Sequence, residues 1–462
     1  MFNNIGFFAK RRGLGGPGGV APAPSRNLNI TPTLSNNAER VTWTITSNMS
    51  SIDVNYEIVG ANTATFSEGT LSGTVSLDSG GGATLIRNLD KFYEYASNTN
   101  VSVSVNLYAP GSNTLLATAT NNVIVGPANT FSATGGTTTT LTGGVDNLQG
   151  EYTLHTFNYT GTTANLVVTN VGDYPSNSII SVVAIGAGGN GGTAWWTNSP
   201  ANLTPAQQAA GVMGSYEGYA GGGGAGGNVN ISNITAQGFN TANYSLYVGG
   251  GTTWFAATSN IIAAGGANGG TSGSLGSGSS TGGASSPWSA GASASRTYST
   301  VDNTRTWIER TGGGGAGAGA NGGTATISTG SNGAIASDGS GGLGGNGRSF
   351  TITGSVITAG GGGGGGTINN TNNPSAGGNG GGGNGAEPST NATAGTNGLG
   401  GGGGGGGSGG FSIDGSNKVA LNYYTNRADG INILQNQQGA AGGSGRLYIR
   451  YLSKYRRLSI QS

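Results

Sequence analysis

Hydrophobic and polar residues alternate along the chain between residues 28 and 127. The clearest runs are VTWTIT (Val41–Thr46), VNYEI (Val54–Ile58), LSGTVSL (Leu71–Leu77) and VSVSVNL (Val101–Leu107). A period of two places the apolar side chains on one face of a β-strand. Short strands separated by Asn, Asp, Gly and Ser are typical of sandwich folds. We therefore predict an antiparallel β-sandwich over residues 28–127, with Trp43 in its core.

A second series of apolar runs begins at Glu151 and is interrupted by glycine. Its candidate strands are YTLHTFNYT, ANLVVTNV, IISVVAIGAGG, VNISNI, YSLYV and, near the end, RLYIRY. The single helix signal is Leu203–Gly211, with Thr204 as N-cap and Pro205 at the first helical position. Residues 128–150 are rich in Thr and Gly, which predicts a linker or loosely paired strands. The fold class predicted for the chain is all-β.

Glycine changes the interpretation of this second region. The chain has 98 glycines among 462 residues, and most of them follow residue 180. A disordered linker is one interpretation. However, the glycine segments alternate with strands and return to a closing strand, which favours order. Helices of the polyproline II type have three residues per turn and no internal hydrogen bonds. Polyglycine helices of this type can therefore pack side by side and form hydrogen bonds with one another. We predict packed polyglycine II-type helices.

Charged residues make up only 8% of the chain, and the basic ones are concentrated at its ends. No Asp or Glu occurs in residues 1–26 or 446–462. Solvated tails or docking on an acidic partner both fit this distribution, whereas nucleic acid calls for a denser patch. We predict a basic flexible anchoring arm over residues 1–27, a basic C-terminal tail over residues 453–462, and no membrane insertion, since no run of 18 apolar residues occurs. The candidate attachment residues in the arm are Lys10, Arg11 and Arg12.

Candidate catalytic chemistry is sparse. The chain has no cysteine, one histidine (His155) and 17 scattered acidic residues. The segment GAGGNGG (Gly186–Gly192) follows a strand, but the helix and acidic residue of a dinucleotide site do not follow it. We predict no enzyme, no catalytic residue, no metal site and no cofactor.

From Glu151 the chain resembles the glycine-rich domain of many bacteriophage tail-fibre and other virion surface proteins. The resemblance rests on five segments in order: Tyr152–Thr162, Ile179–Gly192, Tyr244–Gly251, Ile261–Gly270 and Gly442–Tyr451. It implies an adhesin-like domain over residues 151–452, and it implies trimeric assembly.

The first domain is similar to Ig-like or Calx-β-like modules of phage structural proteins. The similarity lies in Val41–Asn62, Phe66–Thr84 and Val103–Val125. The acidic start of such modules is replaced by NNAER (Asn36–Arg40), so no calcium is expected.

Together these resemblances imply a virion structural protein, exposed on the particle surface after assembly in the host cytoplasm. The first hypothesis is a homotrimeric tail fibre whose N-terminus joins other virion proteins and whose glycine-rich domain binds a host surface protein or polysaccharide. The alternatives are a capsid-decorating or head-fibre protein and, third, a carbohydrate-degrading tailspike. The candidate receptor-contact residues are aromatic: Trp195, Trp196, Tyr216, Tyr219, Trp288, Trp307, Tyr423 and Tyr424. A role in covering the glycine core or a subunit interface is the alternative for them.

Overall fold

The chain divides into two compact units, residues 1–127 with 456–462, and residues 128–455. The structure is a computed structural model, and it describes residues 26–35, 40–59, 66, 70–89, 99–108, 113–127, 130–142, 151–172, 179–199, 205, 215–257, 260–270, 287–299, 306–327, 339–368, 374–387, 390–408, 411–414, 417–420, 424–426, 432–434, 437–454 and 456–460. Within these residues the bounded elements are strands, apart from a 3-10 helix at Ala236–Gly238. The prediction of an all-β chain is confirmed at this level. The predicted helix Leu203–Gly211 lies, except for Pro205, outside the described residues.

Two antiparallel sheets build the first unit. Its strands are β1 (Leu28–Ser35), β2 (Arg40–Ser47), β3 (Asp53–Val59), β4 (Ser72–Ser76), β5 (Gly82–Asn88), β6 (Thr99–Tyr108), β7 (Leu115–Pro127) and, from the other end of the chain, β30 (Arg456–Ile460). The sheet orders are β1-β2-β5 and β30-β7-β6-β3-β4.

The two sheets share one apolar core. In β3, buried and exposed residues alternate without exception, as the period of two predicts. Ile45 from one sheet and Val54 and Val103 from the other belong to the same buried cluster. Trp43 lies at its centre, fully buried, with its ring edge-on to Phe66 at 6.2 Å between ring centroids. The alternation thus stabilises this unit through apolar burial between the sheets.

The C-terminal segment predicted as a basic tail is structured. Its backbone forms β30, which pairs antiparallel with β7 from Arg456 opposite Pro127 to Ile460 opposite Val123. Arg450, which the charge distribution also placed in a solvated end, is only 9% exposed, and its Nη1 donates to the carbonyl of Ile352 at 3.0 Å. The interpretation as a solvated basic tail is therefore corrected for residues 456–460, where the alternation in RLSI allows the backbone to pair with the edge of a sheet.

The second unit holds the remaining strands. They are β8 (Ser132–Thr134), β9 (Thr137–Thr142), β10 (Glu151–Asn158), β11 (Thr163–Asn170), β12 (Ile179–Ile185), β13 (Trp195–Ser199), β14 (Ser215–Tyr219), β15 (Val229–Thr235), β16 (Asn243–Val248), β17 (Thr253–Ala256), β18 (Asn260–Ala263), β19 (Ala294–Ser299), β20 (Thr306–Thr311), β21 (Thr326–Ile327), β22 (Gly339–Ser340), β23 (Arg348–Phe350), β24 (Ile357–Ala359), β25 (Phe411–Asp414), β26 (Asn417–Ala420), β27 (Tyr424–Asn426), β28 (Asn432–Leu434) and β29 (Arg446–Lys454). Its two largest sheets have the orders β15-β12-β29-β10-β9 and β18-β17-β16-β11-β8. Residues of both sheets, including Ile180 and Phe255, form one buried cluster.

Part of the predicted linker belongs to this unit. β8 pairs with β11 and β9 pairs with β10. Each of the two large sheets thus gains one edge strand from residues 132–142. Gly135 and Gly136 connect the two strands with φ values of +123° and +62°, a region that glycine enters without a Cβ clash. The alternative of paired strands therefore holds for residues 132–142, whereas a linker does not.

His155 is buried in the second unit in a complete hydrogen-bond network. Its Nδ1 lies 2.7 Å from the carbonyl oxygen of Gly135, which can only accept, so Nδ1 carries the proton. Its Nε2 then accepts from the Tyr451 hydroxyl at 3.1 Å. Burial lowers the pKa of His155, and the hydrogen bond to Gly135 opposes this effect more weakly. The fold therefore favours the neutral ring over the charged one.

Acid should destabilise the second unit through this single histidine. Because the folded pKa lies below the unfolded value of about 6.5, the stabilisation is complete above that pH and is lost as the pH falls below it. We expect a loss of at most about 1.4 kcal/mol per pH unit, measured as the fall in unfolding temperature between pH 7.5 and 5. His155→Gln should be less stable but nearly insensitive to pH in this window. Equal pH slopes for the two proteins would contradict this assignment.

Candidate functional site

The glycine segments of the second unit lie side by side and bond to one another through their backbones. Between segments 186–194 and 221–228, hydrogen bonds run from the N–H of Gly186 to Asn228, of Gly189 to Ala225, and of Gly192 to Gly222, at 2.8–2.9 Å. The donors recur at every third residue. The same spacing links segment 221–228 to segment 400–408, where Gly221, Gly224 and Gly227 donate to Gly406, Gly403 and Gly400.

Successive residues of one segment bond to different neighbours. The N–H groups of Gly222, Gly223 and Gly224 donate to the carbonyls of Gly270, Gly313 and Gly403, which belong to three separate segments. A single stretch of three residues thus reaches three neighbours. We call this set of mutually bonded segments the glycine array; its described segments are 186–194, 221–228, 264–270, 312–325, 341–347, 360–367, 375–387, 393–408 and 437–445.

The array leaves no room for side chains at its contacts. A Cβ atom on Gly224 would lie 2.7 Å from the carbonyl carbon of Asn190, and one on Gly363 would lie 2.6 Å from that of Gly403. Both neighbours are backbone atoms that cannot turn aside. Close backbone approach of this kind explains why the sequence uses glycine here, and it makes the array a dense, hydrogen-bonded scaffold.

The array has two distinct ends. At the near end, segments join the large sheets: Gly186 follows β12, Ala264 follows β18 and Gly445 precedes β29. The far end lies at the other termini of these segments, marked by the hydrogen bonds from Gly192 to Gly222 and from Gly221 to Gly406, each 2.8 Å.

Hairpins extend the chain at the far end. β13 and β14 connect segment 186–194 to segment 221–228, and β20 leads into Gly312, which is bonded to Gly366 at the same end. These strands form a four-stranded sheet in the order β13-β14-β20-β19, with β14 and β20 parallel. The hairpins β25–β26 and β27–β28 lie between segments 393–408 and 437–445. We call these elements, β13, β14, β19, β20 and β25–β28, the far-end hairpins.

Most of the described candidate receptor-contact residues belong to the far-end hairpins. The backbone of Trp195 and Trp196 lies in β13, that of Tyr216 in β14, that of Trp307 in β20 and that of Tyr424 in β27. Tyr423 and the arm residues Lys10, Arg11 and Arg12 lie outside the described residues. The structure thus brings five aromatic positions from four strands to one end of the scaffold. Trp195 is the one nearest the array, since it pairs with Tyr219 at the base of the β13–β14 pair.

Two candidates do not fit a receptor-contact role at this end. Tyr219 is only 1% exposed, and the Arg310 guanidinium carbon lies 5.0 Å from its ring centroid. It is the last residue of β14, where the hairpin enters the array, so it covers the glycine core. Trp288 is half-buried, and its indole N–H donates to the carbonyl of Ala318 at 2.9 Å. Ala318 itself donates to Gly360, so Trp288 lies close to the near end of the array. Both residues therefore fit the alternative prediction, in which aromatic side chains cover the glycine core.

Sequence reasoning missed a cavity at the near end of the array. It has a volume of about 500 Å³, and its polar lining residues are Asn158, Tyr159, Asn397, Ser444 and Arg446. These residues come from three distant stretches of sequence that only the array and β10 bring together. The one local signal is the step from glycine into strand at Arg446.

Among the described residues, no group of three or more His, Cys, Asp or Glu side chains could hold a metal ion. None of the helices in the described part of the chain is long and apolar enough to cross a membrane. Comparison of the chain with protein-family models, curated proteins and solved structures finds no match.

Proposed function

We propose that this protein is a bacteriophage virion fibre, most simply a tail fibre, that binds the host cell surface through its far-end hairpins. One observation carries the proposal: a densely hydrogen-bonded glycine array holds several hairpins, with aromatic residues in their sequences, at a single end. Binding residues are commonly placed on loops that a rigid scaffold positions. Trp and Tyr supply large contact areas at low entropic cost, and they dominate binding hot spots.

The fold proposed for this role is more specific than an all-β chain. We interpret the first unit as an Ig-like module that serves as a spacer, and the glycine segments as polyglycine II-type helices. The donors at every third residue support the second interpretation, because a polyproline II helix has three residues per turn and no internal hydrogen bonds. Such helices must bond to their neighbours, as the segments of the array do.

Attachment and assembly complete the proposal. The basic arm, with Lys10, Arg11 and Arg12, would join the fibre to other virion proteins, and the family resemblance implies a trimer. The ligand would be a host surface protein or polysaccharide, and no catalytic step is required.

Replacing both Trp195 and Trp196 with alanine should slow phage adsorption to host cells at least tenfold, because hot-spot Trp residues commonly contribute 2 kcal/mol or more. The measurement is the adsorption rate of phage particles that carry the variant. Trp288→Ala is the matched control, since this residue lies at the near-end level, and it should leave adsorption unchanged.

Particle location tests the same proposal independently. Cryo-electron microscopy of the virion should place the protein on the tail with the far-end hairpins outward. If the protein is found only on capsomers and the Trp195/Trp196 variant adsorbs normally, the protein is a capsid-decorating protein rather than a receptor-binding fibre. Shortening of host polysaccharide by the purified protein would instead indicate a tailspike.

A further inference from the structure

The near-end cavity has the volume of a small-ligand site and opens widely to solvent. Its volume of about 500 Å³ falls within the roughly 300–1,000 Å³ of such sites. The residues that line it within the described part of the chain include one cation, Arg446, and no Asp or Glu. We propose that this cavity binds a pyranose sugar that carries a carboxylate, a hexuronic acid. The site lies at the opposite end of the array from the far-end hairpins, so it is independent of the receptor proposal above.

Arg446 is held in place before any ligand arrives. Its Nη1 donates to the Tyr448 hydroxyl at 3.0 Å, and its guanidinium carbon lies 5.8 Å from the centroid of that ring. Gly398 leaves room for the guanidinium: with φ at +77°, a Cβ there would lie 2.6 Å from the guanidinium carbon. A fixed cation loses little conformational entropy on binding, which favours affinity.

The guanidinium still has hydrogen-bonding capacity. The Nε of Arg446 is buried, so a ligand in the cavity would bond to the two Nη atoms. These atoms carry four N–H groups, and one of them donates to the Tyr448 hydroxyl. A carboxylate accepts two parallel hydrogen bonds from a guanidinium, so this anion fits the donors that Tyr448 does not engage.

The rest of the lining suits a sugar ring rather than a bare anion. Tyr159 is 50% exposed and presents an aromatic surface to the cavity. Asn397 accepts the Ser444 N–H at 3.0 Å through Oδ1, which leaves its amide N–H groups to donate. The Ser444 Oγ accepts the Gly398 N–H at 3.2 Å and keeps its own proton for a hydroxyl partner. Asn158, at the end of β10, adds a second amide. Glycines make up much of the remaining lining, so the ring of Tyr159 and these few polar groups would determine how the sugar is oriented.

Calorimetric titration of the full chain with three probes tests the proposal. Sodium glucuronate should bind saturably, and glucose should bind at least tenfold more weakly because it cannot engage Arg446. Inorganic phosphate should also bind at least tenfold more weakly than glucuronate, because it cannot engage Tyr159 and the amides.

Three variants locate the site. Arg446→Gln and Tyr159→Ser should each weaken glucuronate binding about tenfold or more, and Tyr159→Ser keeps the test valid if Arg446→Gln fails to fold, because its side chain is half exposed. Arg40→Gln removes an exposed cation from the first unit and should leave binding unchanged.

Several outcomes would overturn the proposal. Equal affinity for glucose and glucuronate would show that the site does not recognise the carboxylate. Phosphate binding as tight as glucuronate binding would show that it does not recognise the sugar ring. Absence of saturable glucuronate binding, or binding that survives in a folded Tyr159→Ser protein, would reject the site itself. None of these results bears on phage adsorption, which tests the far-end hairpins separately.

Discussion

Replacing Gly224 with alanine should lower the free energy of unfolding of the second unit by at least about 4 kcal/mol, well beyond the usual range for a single methyl group. The added Cβ would lie 2.7 Å from the carbonyl carbon of Asn190, a separation that real Cβ atoms do not tolerate. Relief would require backbone movement, because no flexible side chain lies between the two. Overpacking alone commonly costs about 1–3 kcal/mol.

Hydrogen bonds raise that cost further. Gly224 donates to Gly403 and accepts from Gly363, both at 2.8 Å, so any displacement strains bonds to two other segments. A buried donor or acceptor left without its partner costs about 1–3 kcal/mol. Since those segments bond to further neighbours, the loss should spread through the array. Hydrogen exchange of the array amides, measured by mass spectrometry, would report it as faster exchange across several segments.

Gly251→Ala provides the matched control. A Cβ at this exposed glycine meets nothing within 4 Å, and its φ lies outside the left-handed region. The substitution should leave stability unchanged or raise it by about 0.4–1 kcal/mol, because alanine restricts the unfolded chain more than glycine does. If Gly224→Ala were as stable as Gly251→Ala, the close packing of the array would be refuted.

Replacing Trp43 with alanine should cost the first unit about 3–5 kcal/mol, the range found for large aromatic residues in cores. Trp43 is fully buried between the two sheets and contacts Phe66 edge-on, so truncation would leave a cavity that the flanking strands cannot close. Hydrogen exchange of amides in β2, β3 and β6 would measure the loss in this unit alone. An exposed control, Val59→Ala, at a residue that is 52% exposed, should change stability by less than about 0.5 kcal/mol.

Trp43→Phe separates packing from polarity. The indole Nε1 of Trp43 is buried without a hydrogen-bond partner among the described residues, and phenylalanine removes this donor while keeping an aromatic ring. We expect it to cost less than half as much as alanine, since relief of the unpaired N–H offsets part of the lost volume. Equal losses for phenylalanine and alanine would show that the indole N–H is satisfied in solution.

The sequence predicted those parts of the fold that side-chain periodicity encodes. The alternation in VNYEI predicted β3, and Trp43 lies in the core as expected. The sequence did not predict three strands. The basic residues of β30 indicated a solvated tail, and the Thr and Gly residues around β8 and β9 indicated a linker. In each case the strand forms because a sheet edge is available to pair with it, which is information that no local pattern contains.

The candidate site could be predicted only in part, for a different reason. The sequence singles out the aromatic residues outside the glycine segments as a group, but it does not show that Tyr219 in β14 lies buried beside the Arg310 guanidinium or that Trp288 bonds to the array. The glycine segments bond mainly through their backbones, and only scattered side chains such as Asn190, which accepts from Gly442, mark which segments are neighbours. The near-end cavity around Arg446 depends on that pairing, so the step from glycine into strand at Arg446 was its one local signal.

The recurrence of donors at every third residue sets a rule for how this protein can change in length. Inserting or deleting three residues within a glycine segment keeps each remaining N–H directed at the same neighbour. A change of one or two residues would direct every following donor at a different segment and disrupt the bonds of all of them. Within the described residues, the strands of the far-end hairpins pair only with one another, so no such rule applies to them. Length variation can therefore accumulate freely in the far-end hairpins and only in steps of three within the array.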